Sequence, residues 1–193
     1  ETPLMRFKGT ALLAVALVGI VSYYFLIDLP SEKQKKKEKD LAEKVILFNS
    51  DNVKGISLIK GDVSIELKRR SIKKWEMTNP VNAKGDASAI TDFLSFLKNL
   101  NFTRVVEESP KDLTPFGLDT PDLKIILSMG DGETKGVQVG DNHPMGNKVY
   151  LSRLNGSRIL TAGVTKNRLD RKVHDLRDKT ILGFETPEIT KIE

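Results

Sequence analysis

The sequence predicts an α+β protein. An N-terminal transmembrane helix leads into a mainly antiparallel β-sheet domain with two covering helices, and the start of a second repeat follows at the C-terminus. Three observations carry this. An uncharged apolar run extends from Gly9 to Ile27. Beyond Val45, short segments alternating apolar and polar residues recur between glycine and asparagine turns. Two further stretches space their apolar residues three and four apart, as amphipathic helices do.

The apolar run, GTALLAVALVGIVSYYFLI, has the length of a bilayer span, since about 20 residues rising about 1.5 Å each cover a hydrocarbon core about 30 Å thick. A cleaved signal peptide would have a shorter apolar core and a small-x-small exit; this run ends in the bulky Tyr23-Tyr24-Phe25-Leu26-Ile27. A buried core helix would usually show a polar face, and none is present. Tyr23 and Tyr24 suit the headgroup zone at one end. Residues 1–29 are therefore assigned to a tail and an uncleaved anchor that contacts the bilayer through residues 9–27. Met5 is a plausible start, because MRFKG makes a typical leader.

Orientation is contested within the sequence. Arg6 and Lys8 precede the run, whereas Lys33, Lys35, Lys36, Lys37, Lys39 and Lys44 follow it. A lysine count places the domain in the cytoplasm. Long domains, however, translocate largely regardless of charge, and a short basic leader before an apolar run resembles an uncleaved export signal. The reading adopted is a single-pass membrane protein with its domain outside the cytoplasm.

Residues 30–45 read as a charged stalk. Pro30 ends the apolar helix, Ser31 can cap another, and EKQKKKEKDLAEK holds one large apolar side chain, Leu41. Such a segment has no face to bury; its lysines could also lie on anionic lipid.

The α+β domain is placed at residues 46–180. Val53–Ile59 and Val63–Leu67 alternate about Gly61-Asp62 and read as a hairpin. Lys74–Met77 is a third strand, stopped by Asn79-Pro80, with Trp75 as a core filler. Asp86 caps a helix whose stripe is Ile90, Phe93, Leu94 and Leu97, continued by Leu100 or Asn101. Thr103–Val106 returns to strand, and Pro110–Pro121 is rich in turns. Leu123–Met129 and Thr134–Val139 pair across Gly130-Asp131-Gly132, and Gly140–Asn147 is a loop. Lys148–Arg153 and Arg158–Thr161 pair across Asn155-Gly156. Thr165 opens a second helix with Leu169, Val173 and Leu176 on one stripe. Sheet with helices laid on it is the α+β pattern.

Residues 45–56, VILFNSDNVKGI, align with 181–192, ILGFETPEITKI, apolar against apolar at the positions of Val45, Ile46, Phe48, Val53 and Ile56. This suggests that residues 181–193 begin the first strand of a truncated second repeat, and that the chain is a fragment of a longer tandem-repeat protein.

Composition narrows the chemistry. The chain has 193 residues, a formal net charge of +5, no cysteine and two histidines. Without cysteine there is neither a disulfide, a thiolate metal site nor a cysteine nucleophile. His143 and His174 are too few for a multi-histidine site. Aromatic residues, at 6%, are not interleaved with the basic ones, so no nucleic-acid partner is expected.

The glycines around Gly132, Gly136 and Gly140 lack the order of a phosphate loop, and there is no GxSxG elbow. Asp131, Glu133, Asp141 and His143 form the best metal-like set, but hairpin turns collect such residues for solvation. Asp170, His174 and Asp178 would share a helix face, which reads as solvated with weak Asp–His and Arg–Asp contacts. Arg177 and Asp178 read as an interdomain or terminal pairing. No catalytic, cofactor-binding or metal-ligating residue is assigned, and no cofactor is expected.

Several motifs in order carry a resemblance: MRFKGT before the apolar run, the lysine-glutamate stalk, Trp75-Glu76-Met77-Thr78-Asn79-Pro80-Val81, Ala87-Ser88-Ala89, Asp112 to Pro121 (DLTPFGLDTP), and Asp175 to Thr180 (DLRDKT). From Met5 onward the chain resembles the domain-of-unknown-function 4340 family. The resemblance implies tandem copies of the domain, a single-pass bacterial membrane anchor, and association with ABC transporter systems of the gliding-motility auxiliary type. It supplies no catalytic residues. The chain departs from the family in being short, its second copy nearly absent. The expected function is a non-enzymatic, membrane-anchored envelope module that binds ABC transporter subunits. A module binding envelope glycan or a small solute is the alternative, and an exposed aromatic groove would favour it.

Overall fold

The computed structural model describes residues 6–24 and 29–180. The chain divides into two units, residues 1–43 and 44–193. The first holds helix α1 (Arg6–Tyr23) and helix α2 (Leu29–Ala42). Among the described residues no helix is long and apolar enough to cross a membrane. As described, α1 has 18 residues, about 27 Å at about 1.5 Å per residue, and its first turn includes Arg6 and Lys8. Residues 25–27 of the expected span lie outside the described residues. Helix α2 begins at Leu29, two residues before the expected cap at Ser31. Pro30 is tolerated there because first-turn N–H groups have no partner within the helix. Residues 34–42 are exposed, Leu41 included.

In the second unit the alternation of the sequence becomes nine strands: β1 (Val53–Lys60), β2 (Val63–Ser71), β3 (Lys74–Asn79), β4 (Ala83–Gly85), β5 (Phe102–Glu107), β6 (Leu123–Met129), β7 (Thr134–Asn142), β8 (Val149–Arg153) and β9 (Ile159–Ala162). They form one sheet in the order β4-β3-β2-β1-β6-β7-β8-β9-β5, and every pairing is antiparallel. In β1, Leu58 stands between Ile65 and Ile125, and Ile56 between Leu67 and Leu127. Because side chains alternate across a sheet, these rows share one face, and all six are buried.

That face is covered by helix α3 (Ala87–Asn99), whose Ile90, Phe93, Leu94 and Leu97 are all buried. Asp86 caps it as expected, its carboxylate accepting from the Ser88 and Ala89 N–H groups at 3.0 Å each. Such a cap is worth roughly 1 kcal/mol. Leu100, not Asn101, continues the stripe inward. Trp75 is also buried in this core.

Helix α3 joins the two edge strands, since β4 precedes it and β5 follows. A flat sheet of this size would be about 38 Å wide at about 4.8 Å per strand. A helix of 13 residues reaches only about 20 Å at about 1.5 Å per residue. The sheet must therefore curl around α3 for both edges to meet its ends. The opposite face stays largely polar at its centre, with Ser57, Gln138 and the half-buried Ile126. Over β7 it is covered locally by a 3-10 turn, Thr114–Phe116, which packs against Gly140 and is followed by the buried Leu118.

Two expectations are corrected. The second helix is not continuous: α4 (Lys166–Leu169) and α5 (Val173–Leu176) are single turns separated by extended backbone at Asp170 and Lys172. The Lys172 N–H donates to the Asp175 carboxylate, which starts a new turn rather than extending the old one. Leu169 and Leu176 are still both buried, so the stripe was real while the continuity was not. The loop expected at Gly140–Asn147 begins later, because β7 runs on to Asn142, which pairs with Val149 past a register shift. The proposed repeat at residues 181–193 lies outside the described residues. In its counterpart, strand begins only at Val53, after a bridge at Lys44 and a 3-10 turn at Ser50–Asn52.

Candidate functional site

The clusters singled out from sequence do not converge. Asp131 and Glu133 stand at the turn before β7, and Asp141 and His143 at its other end, about 25 Å away at about 3.3 Å per strand residue. Asp131 binds the Glu133 N–H and the Asn52 amide. Asp141 lies against Gly117, where any Cβ would strike its carboxylate. His143 Nδ1 accepts from the Met145 N–H at 3.0 Å. Among the described residues, no group of three or more His, Cys, Asp or Glu could hold a metal ion.

The break between α4 and α5 likewise dissolves the expected Asp170, His174 and Asp178 face. Asp170 pairs with Lys60 at the end of β1, His174 is exposed, and Asp178 accepts from the Thr180 N–H and hydroxyl. Among the described residues Arg177 and Asp178 form no ion pair with each other, and the segment expected to pair with them, residues 181–193, lies outside the described residues. Arg177 bridges Gly85, and the Asp178 N–H donates to the Lys84 carbonyl, so their backbone lines the outer edge of β4.

That edge borders a groove of about 850 Å³ along β3 and β4. Its acidic residues are all engaged. Glu76 accepts from Arg70 Nε at 2.6 Å, Asp86 caps α3, and Asp178 holds Thr180. Lys73, Lys74 and Lys84 also line it, and none has an ion-pair partner among the described residues. By formal charge its lining sets Arg70, Lys73, Lys74 and Lys84 against Glu76, Asp86 and Asp178, which leaves the groove slightly positive. Its one aromatic lining residue, Trp75, is only 5% exposed, with the Arg69 guanidinium 5.6 Å from its ring centroid. The ring is thus withheld from any ligand. Sequence reading missed this groove because its walls come from a hairpin turn, a three-residue strand and the distant Asp178–Thr180. The Lys73-Lys74 pair at the β2–β3 turn was the available signal.

Three carboxylates titrate below the ordinary aspartate value of 3.8. Asp122 is lowered chiefly by its hydrogen bond with Lys166 and then by that ammonium's charge; the contact is 2.6 Å. Asp112 and Asp178 are lowered by the hydroxyl and then the N–H of Thr114 and Thr180 respectively. Each serves a turn or a surface ion pair. A depressed folded-state value means the contribution to stability is present above the unfolded pKa and lost as pH falls through the folded one. An NMR titration should therefore place all three carboxyls below 3.8, and Lys166→Met should move Asp122 alone back upward. An Asp122 titration unchanged in that variant would contradict the assignment.

Taken together, these features describe a curled antiparallel α+β module with a groove along its β4 edge. The family model for a domain of unknown function (DUF4340) matches residues 75–193, more than half of the chain. The chain belongs to the DUF4340 family. The match begins at Trp75 in β3, although β1 and β2 lie within the same sheet. No curated protein and no solved structure matches the chain.

Proposed function

We propose that the protein is a non-enzymatic, single-pass envelope module of the bacterial inner membrane, anchored through residues 9–27, with its domain outside the cytoplasm. It acts by contact with other membrane proteins, ABC transporter subunits foremost. The basic groove along β3 and β4 carries this reading. Its carboxylates are engaged by Arg70, the start of α3 and Thr180, and Lys73, Lys74 and Lys84 make no ion pair among the described residues, which suits an acidic protein surface. The buried Trp75 favours protein over glycan, because a sugar site would expose an aromatic face for stacking. The anchor is supported by the uncharged run that continues beyond α1 to Ile27.

The test is purification of the full-length protein from its native membrane in mild detergent. Transporter subunits should co-elute, and a combined Lys73→Glu, Lys74→Glu, Lys84→Glu variant should lose them while remaining folded. Co-elution unaffected by the triple variant would remove the groove from the account, and a solitary monomer would overturn the reading.

A further inference from the structure

A second basic feature lies away from the groove, where the α4–α5 segment meets α3. The Arg168 guanidinium carbon is 5.4 Å from the Phe96 ring centroid. The Arg171 guanidinium carbon is 5.5 Å from that of Phe93. The two rings are themselves stacked, 6.5 Å apart. Two cations therefore rest on neighbouring aromatic shelves, within the range where a ring face attracts a guanidinium.

Among the described residues the surrounding charges leave this pair without a counter-ion. Asp170 is taken by Lys60 and Asp122 by Lys166. Asp175 accepts the Lys172 N–H. Among the described residues neither Arg168 nor Arg171 has an ion pair. Arg171 Nε is buried and has no hydrogen-bond partner, an arrangement that ordinarily costs free energy. The other arginines that touch aromatic or backbone groups differ. Arg69 spends its nitrogens on the Ser50, Asp51, Val53 and Ile72 carbonyls, and Arg153 on those of Lys44 and Val45. Arg168 and Arg171 make no such carbonyl contacts among the described residues.

We propose that Arg168 and Arg171 form an oxyanion site for phosphate groups. The guanidinium fork matches a phosphate's oxygens in two-pronged fashion. Resting on Phe96 and Phe93 restricts both side chains beforehand, so less freedom is lost on binding. The phosphate could be free in solution or belong to a lipid headgroup, and the shared chemistry is the same. This site is independent of the groove contact proposed above.

The test uses the full chain in nanodiscs, one set of phosphatidylcholine alone and one with phosphatidylglycerol added. The side-chain Nε–H NMR signals of Arg168 and Arg171 are followed in both, with and without inorganic phosphate. A shift on adding inorganic phosphate in either disc supports a free-phosphate site. A shift only between the two discs supports a headgroup site. In either case Arg168→Gln should weaken the response about tenfold, as expected for loss of charged hydrogen bonds, and Arg171→Lys should weaken it while keeping the charge. Arg168 is exposed, so its variant reports even if the Arg171 change disturbs packing. Signals that stay put under all conditions, or a response unchanged in Arg168→Gln, would overturn the proposal.

Discussion

Replacing Phe93 by alanine should destabilise the domain by about 3–5 kcal/mol, the range for deleting a buried aromatic side chain. Phe93 is 1% exposed and is among the largest fully buried side chains. It belongs to the stripe by which α3 fills the concave face, and α3 alone connects the two edge strands. The ring also carries the Arg171 guanidinium, so its removal opens a cavity and strands a half-buried cation together. Domains have only about 5–15 kcal/mol in total, so the variant should unfold at a much lower urea midpoint. Trp75 lies in the same buried core and reports the transition by its fluorescence. Phe96, only partly buried, should cost clearly less on the same substitution. Equal losses at Phe93 and Phe96 would show that α3 does not present the face described.

Gly140→Val should be the second large loss, for the opposite reason. A Cβ at this position would lie 2.1 Å from the Phe116 carbonyl oxygen and 2.9 Å from Leu118 Cγ. The nearest obstacle is backbone, which cannot rotate away as a side chain can. Either the Thr114–Phe116 turn lifts from β7 or the strand buckles. Overpacking of this kind costs about 1–3 kcal/mol, occasionally more. The buried Leu118 would be exposed by a lifted turn, and the edge contact of Phe116 with Tyr150, 5.1 Å between centroids, would be broken. Thermal unfolding and the Tyr150 ring signals would show both effects. Gly132 offers the spatial control: a Cβ there meets nothing within 4 Å, although its φ of +86° favours glycine. A Gly140→Val protein as stable as the parent would mean that the turn does not dock on β7.

The strands were legible where alternation was long and the partner near. The β1–β2, β6–β7 and β8–β9 hairpins follow from the patterns around Gly61, Gly132 and Gly156. Strand β4 escaped because three residues, Ala83–Gly85, give no period to detect; it exists through pairing with β3 and the bridge to Arg177. The pairing of β5 with β9 joins segments far apart in sequence, and nothing local encodes it. The spacing of Leu169, Val173 and Leu176 suits one helix or two inward-facing turns equally. Only Asp170, drawn out to Lys60, and the Asp175 contact to the Lys172 N–H decide between them. The groove was illegible for the same reason as the β5–β9 pairing: Asp178 and Thr180 reach it by folding, not by spacing. Asp86 was the clearest success, because a cap is a local event and its residue type is nearly sufficient.

We propose a folded contact module held at a bilayer by its leading segment. Alkaline carbonate extraction of native membranes tests that most directly, comparing the full-length protein with a form lacking residues 9–27. The account predicts that the full-length protein stays in the pellet with lipid and that the shortened form is released as a folded domain. Release of the full-length protein into the carbonate supernatant would contradict it.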